Sequence, residues 1–117
     1  MKICITGSTG LIGSAAARFF LARNHEVVGI DNNMRSRFFG REASTAGEKK
    51  SLTAFPRYSH RAIDIRNSKA INTLFRQEKF DVILHCAAQP SHDKATEIPQ
   101  LDFQINAGGT LTLLEAT

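Results

Sequence analysis

Residues 2–13 read Lys2-Ile3-Cys4-Ile5-Thr6-Gly7-Ser8-Thr9-Gly10-Leu11-Ile12-Gly13. The apolar run Lys2–Thr6 ends on a glycine and predicts a short buried strand. Leu11 to Arg23 predicts a helix, with Gly13, Ala16, Ala17 and Phe20 on one packing face. Asn24 can end that helix in the left-handed conformation. A strand that passes straight into a helix aims main-chain N–H groups and the positive end of a helix dipole at one point, which suits a pyrophosphate. Gly7 allows the tight turn, Gly10 lets backbone approach the phosphates, and Gly13 lets the helix pack on the sheet. The spacing is G-x-x-G-x-x-G, not the commoner G-x-G-x-x-G, so the strand-to-helix context carries the reading.

Working outward, Glu26–Asp31 predicts a second strand, whose terminal acid lies 24 positions after Gly7. A carboxylate there accepts hydrogen bonds from both ribose hydroxyls of a dinucleotide. It also repels a 2′-phosphate, which favours NAD over NADP, although Arg35 and Arg37 stand near enough in sequence to accommodate that phosphate. Arg61–Ile65 predicts a third strand. Asn67 or Ser68 caps a predicted helix through Gln77, with Ile71, Leu74 and Phe75 inward. Asp81–Cys86 predicts a fourth strand. Pro90 and Pro99 bracket a predicted loop, and a last helix is expected from about Gln100 onward. Residues 32–58 are long and polar, and a helical turn is expected within 42–54. Strands alternating with helices, and reading as continuous apolar runs, predict an α/β fold with a parallel sheet covered on both faces. The expected architecture is a partial Rossmann doubly wound sheet of order 3-2-1-4, one domain over residues 1–117.

Composition narrows the function classes. With 42% hydrophobic and 22% charged residues, the 117-residue chain is not expected to be disordered. No apolar run approaches the roughly 20 residues a bilayer crossing needs, and the N-terminus does not read as a signal peptide. Cys4 and Cys86 both sit in apolar runs, which predicts reduced thiols in a cytoplasmic protein and no metal set. The net charge of +4 is local: residues 35–57 hold six basic and two acidic side chains, and the remainder holds nine of each. A basic loop without a reading element fits a dinucleotide or nucleotide-sugar better than a nucleic acid.

Several stretches carry a resemblance: Thr6-Gly7-x-x-Gly10-x-x-Gly13, Asp31-Asn32, Asp64-Ile65-Arg66, His85-Cys86-Ala87-Ala88-Gln89 and Asn106-Ala107-Gly108-Gly109-Thr110-Leu111. Together they resemble the extended short-chain dehydrogenases, the NAD-dependent epimerase/dehydratase family acting on nucleotide-sugars. Asp31-Asn32-Asn33-Met34-Arg35, Phe38-Phe39-Gly40 and Ala87-Ala88-Gln89-Pro90-Ser91-His92 look most like the branch of CDP-paratose 2-epimerases. The resemblance covers essentially the whole chain but only the N-terminal part of such an enzyme. It implies that Gly7, Gly10, Leu11, Ile12 and Gly13 hold the pyrophosphate. Asp31, Asn32 and Arg35 would hold the adenosine ribose and its surroundings, with Asp64 and Ile65 bordering the adenine. Ala87, Ala88 and Gln89 would line the nicotinamide side. Ser91 and His92 extend from the same lip and could reach a sugar; an ordinary polar loop beside Pro90 reads equally well. The implied reaction removes a hydride from a sugar carbon, C2 in this branch, and returns it to the other face.

The family's Tyr-x-x-x-Lys pair is missing. The single tyrosine, Tyr58, is followed four positions later by Ala62 and precedes a strand, so no catalytic residue is assigned. The chain alone is therefore expected to be inactive. The alternative is a non-catalytic dinucleotide-sensing module, with a nucleic-acid-binding relative as a weaker third. Val82, Ile83 and Leu84 on the fourth strand predict an exposed edge. The last helix is apolar on all sides (Leu101, Phe103, Ile105, Leu111, Leu113, Leu114), and the chain is expected to self-associate through this helix or the fourth-strand edge, or to be marginally stable. In the resembled family that helix belongs to a dimer interface, and Gly108-Gly109 would admit another backbone.

Overall fold

The computed structural model describes every residue from Met1 to Thr117. Strands β1 (Lys2–Thr6), β2 (Glu26–Ile30), β3 (Tyr58–Arg61) and β4 (Val82–His85) form one sheet. All pairings are parallel and the order is β3-β2-β1-β4. The chain reverses its direction of travel between β1 and β4, which opens a crevice at their carboxyl ends. The helices are α1 (Leu11–Leu21), α2 (Met34–Phe39), α3 (Ala46–Thr53), α4 (Ser68–Glu78), α5 (His92–Glu97), α6 (Pro99–Phe103) and α7 (Gly109–Ala116). A 3-10 turn at Arg41–Ala43 separates α2 from α3, and a π turn at Gln104–Gly108 joins α6 to α7. No helix is long and apolar enough to cross a membrane.

Period-two alternation along the strands divides the core. Ile3, Ile5 and Val27 pack with Ala17 and Leu21 of α1, Leu52 of α3 and Tyr58. Cys4 and Ile30 pack on the opposite face with Ile71, Leu74 and Phe75 of α4, and with Ile65, Ile105 and Leu113. Burial pushes the Cys4 thiol up to about 12, so it packs as a neutral group. Both cysteines are free.

The departures from the sequence expectations have physical causes. The third strand is Tyr58–Arg61, not Arg61–Ile65, because β2 ends opposite Arg61 and leaves nothing for Ala62–Ile65 to pair with. Those residues turn instead: the Asp64 carboxylate accepts the Arg66 amide at 2.9 Å, and its carbonyl accepts the Asn67 amide at 2.9 Å. The first helix stops at Leu21, two residues before Arg23, and Asn24 follows at φ 62. Its buried positions are Gly13, Ser14, Ala17 and Leu21, with Ala16 and Phe20 at the margin. The stretch between Pro90 and Pro99 is a helix, not a loop, because the Ser91 side chain caps it by accepting the Lys94 amide at 3.1 Å. Residues 32–58 hold two helices, where one turn was expected. The last helix begins at Pro99 and carries a π turn. At Gly109 the close neighbour is a side chain, Ile65, and not a backbone.

Tyr58, the rejected catalytic candidate, lies in the core beneath the glycine turn. Its hydroxyl meets Ser8 Oγ at 3.0 Å and His60 Nδ1 at 3.2 Å. A side chain at Gly29 would collide with both oxygens of the Ser8–Tyr58 pair, so the glycine makes room for this contact. Burial, and then the nearby Lys49, push the His60 imidazole below its ordinary value. The unfolded chain therefore takes up this proton more readily than the folded chain. The site is neutral in both states at high pH, and stability falls as pH drops below the unfolded value. Unfolding free energy from urea titrations is expected to decline between about pH 7 and about pH 5, less steeply in His60→Gln. Equal slopes for the two proteins would contradict neutral burial of this ring.

Candidate functional site

The crevice is built on the turn between β1 and α1. Gly7 has φ +64, and a Cβ there would lie 2.7 Å from the Ala87 nitrogen and 2.8 Å from the Cys86 carbonyl oxygen. The turn thus rests directly on the exit of β4. Thr6 fixes that exit, because its Oγ1 accepts the Cys86 and Ala87 amides, each at 3.1 Å. Gly13 is closer still: a Cβ there would fall on the Gly7 carbonyl.

Most of the turn's amides already have acceptors within the chain. Gly7 and Ser8 donate to the Ile30 carbonyl, Gly10 to the Gly7 carbonyl and Ser14 to the Gly10 carbonyl. Thr9 donates to Asp31 Oδ2 at 3.2 Å. The amides of Leu11, Ile12 and Gly13 have no acceptor within the chain. No acidic side chain stands in the first turn of α1, and Gly10 supplies no side-chain cap. Three free donors at the positive end of an 11-residue helix are an arrangement suited to an anion.

A cleft of about 290 Å³ opens beside these donors. Its lining includes Asp31, whose Oδ1 accepts the Asn33 amide at 2.8 Å. Asp31 makes no ion pair, so both oxygens keep lone pairs for further donors. Asp64 differs: the Arg66 side chain beside it holds its carboxyl below the usual range and neutralises it. Arg35 is exposed at the mouth, its guanidinium 5.9 Å from the Phe39 ring centre.

Twelve of the thirteen residues assigned from the sequence to a cofactor line this one cleft: Gly7, Gly10, Leu11, Ile12, Gly13, Asp31, Asn32, Arg35, Asp64, Ile65, Ala87 and Ala88. Gln89 does not. Its side chain donates to Asp102 Oδ1 at 2.8 Å and to the Ser91 carbonyl at 2.9 Å, and it accepts the Ser91 amide at 2.8 Å. Asn106 holds the Gln89 backbone from both sides, accepting its amide and donating to its carbonyl. The π turn brings Asn106 to this position. Gln89 therefore pins the β4 exit to the last helix. Ser91 is occupied as the cap of α5 and His92 begins that helix; neither lines the cleft. Met34, Thr45, Ile63 and Ile105 do line it and were not foreseen. Thr45 had a readable signal, since Thr45-x-x-Glu48 has the spacing of a capping box. The isoleucines had none, being apolar residues that read as core.

Comparison with known proteins gives the same frame. The sequence model of the NAD dependent epimerase/dehydratase family matches residues 3–117. The chain is 33% identical over 116 residues to CDP-paratose 2-epimerase of Salmonella typhi, covering 99% of this chain and 32% of that protein. It is 31% identical to UDP-glucose 4-epimerase 2 of Arabidopsis thaliana, covering 97% of this chain and again 32% of that one. Among solved structures, the Thermus thermophilus UDP-glucose 4-epimerase in complex with NAD superimposes with a TM-score of 0.77 at 33% identity, over 99% of this chain and 33% of that one. The Campylobacter jejuni UDP-Glc/GlcNAc 4-epimerase gives 0.83 at 29% identity, over 98% of this chain and 32% of that one. The chain spans about a third of the length of these relatives.

The steric account of the turn has a direct check. Gly13→Ala must push the Gly7 backbone aside and is expected to lower unfolding free energy by about 1–3 kcal/mol. Gly47→Ala meets nothing within 4 Å and, inside α3, is expected to be neutral or stabilising by up to about 1 kcal/mol. Urea unfolding of the two variants separates crowding from a general intolerance of alanine.

Proposed function

We propose, for a chain that belongs to the NAD-dependent epimerase/dehydratase family, that it is the NAD-holding part of a nucleotide-sugar epimerase of the CDP-paratose 2-epimerase kind. One observation carries the reading: three unpaired amides at the start of α1 and a carboxylate with no ion-pair partner share the same cleft. The first set matches a diphosphate and the second a ribose diol. The glycine positions keep the backbone bare where such a ligand would lie against it.

The chain's residues divide the work. The Leu11, Ile12 and Gly13 amides take diphosphate oxygens. Asp31 accepts the adenosine ribose hydroxyls, and its charge disfavours a 2′-phosphate. Asn32 and Arg35 flank the adenosine at the exposed mouth, while Asp64 and Ile65 border the adenine. Ala87 and Ala88, at the carboxyl end of β4, face the nicotinamide side. Gln89 acts at one remove by holding that exit still. Ser91 and His92, at the start of α5, follow the cleft-lining Pro90 and could meet a sugar only where it extends out of the cleft. When bound, NAD supplies a ring that accepts a hydride from a sugar carbon and gives it back. The acid and base for that exchange are not assigned, because Tyr58 is buried beneath the turn.

Two free thiols accord with a cytoplasmic setting. We also propose that a second copy covers the apolar face of the last helix, where Phe103, Leu111 and Leu114 stand 68%, 59% and 65% exposed.

Calorimetric titration is expected to give saturable NAD binding, weaker NADP binding, and a loss of about 10- to 100-fold in Asp31→Ala. The 117-residue chain is expected to show no epimerase turnover on its own. A folded chain that gives no heat with NAD would overturn the reading, and turnover would overturn the view that these 117 residues hold no acid–base pair for the reaction. By light scattering, the chain is expected to run larger than its 12.9 kDa and Leu114→Glu to run as a monomer; a monomeric parent chain would refute the covered helix face.

A further inference from the structure

Thr45 stands where a threonine would cap its own helix, yet its hydroxyl does not do so. Its Oγ1 donates to Asn33 Oδ1 at 3.1 Å and accepts the hydroxyl of Thr9 at 2.8 Å. The Thr45 amide also donates to Asn33 Oδ1, at 2.9 Å. Glu48, the other half of the capping-box pattern, turns to Arg18 instead. The cap is given up for contacts with two other segments.

Followed around, these contacts close a ring. The Asn33 amide donates to Asp31 Oδ1, Thr9 to Asp31 Oδ2 through its amide and to Thr45 through its hydroxyl, and Thr45 to Asn33. Each hydroxyl donates once, so every proton has a consistent place. Asn33 holds a left-handed conformation, φ 55, that aims its amide at the carboxylate. The ring joins the glycine turn, the end of β2 and the start of α3, and it grips both oxygens of Asp31.

We propose that Thr45 is a positioning residue for ribose recognition: by closing this ring it sets the Asp31 carboxylate at a fixed distance and angle from the free amides of the glycine turn. The proposal rests on the NAD reading above. A carboxylate held at both oxygens presents its remaining lone pairs in fixed directions, so hydroxyls of a bound ribose meet it without reorganisation. Without the Thr45 hydroxyl, Thr9 loses its tie to α3 and Asn33 keeps only the Thr45 amide, so the two main-chain amides that hold the carboxylate are no longer joined by a side chain and its angle loosens.

The test uses the folded chain, NAD, and an NAD analogue lacking the adenosine 2′-hydroxyl. Wild type is expected to prefer NAD. Thr45→Val is expected to weaken NAD binding about tenfold while barely changing the affinity of the 2′-deoxy analogue, so the preference shrinks. Thr45→Ser is expected to restore both. Thr9→Val cuts the ring at the next bond and is expected to act alike, with the double variant no worse than either single one; it also serves if Thr45→Val does not fold. Equal weakening of both ligands would show that Thr45 only supports the fold, and unchanged NAD affinity would show that the ring is idle; either overturns the proposal. Folded wild type that fails to bind NAD would overturn the cofactor reading itself, a result distinct from wild type binding NAD while the variants show no loss of preference.

Discussion

No side chain fits between the first turn of α1 and the loop that precedes it. The Gly13 α-carbon faces the Gly7 carbonyl, and Gly7 faces the backbone of Cys86 and Ala87. Three segments, the ends of β1 and β4 and the start of α1, thereby meet through bare main chain. That contact holds the helix end against the carboxyl edge of the sheet, where its free amides face the crevice. The proposed cofactor site depends on this packing, because a helix displaced by one methyl group would point its donors elsewhere.

The polar side chains around the turn serve the same end. Ser8 is anchored downward to Tyr58, and Thr9 outward to Thr45. Thr6 holds the β4 exit through the Cys86 and Ala87 amides, and Gln89 with Asn106 ties the next residues to the last helix. No buried side-chain polar atom is left without a partner. The unpaired amides of Leu11, Ile12 and Gly13 stand at the cleft. A site with its own hydrogen bonds complete except toward one space is organised before any ligand arrives.

Much of this was legible in the residues. The strand–glycine–helix passage, the acid at Asp31 and the alternation of strands with helices led to the sheet order that the structure shows. The resemblance of Ala87-Ala88 and Asp64-Ile65 to family motifs placed residues that line the cleft. What escaped was structure set by long-range contacts. Tyr58-Ser59-His60-Arg61 is too polar to announce a strand, and it is one because β2 offers it an edge. Ala62–Ile65 has the alternation of a strand but walls the cleft instead. Gln89 reads as a site residue by its motif, and only the π turn that delivers Asn106 reveals its anchoring role. Thr45 has the sequence of a cap, and its hydroxyl is drawn away by Asn33 and Thr9, 12 and 36 residues distant.

The most direct measurement is amide chemical shift, residue by residue, as NAD is added to the isotopically labelled chain. The account predicts that the largest changes fall on Leu11, Ile12 and Gly13, with a second group at Thr9 and Asn33, whose amides share the Asp31 carboxylate. Shifts that saturate with NAD while leaving Leu11, Ile12 and Gly13 unmoved would contradict it, because the diphosphate would then lie away from the start of α1.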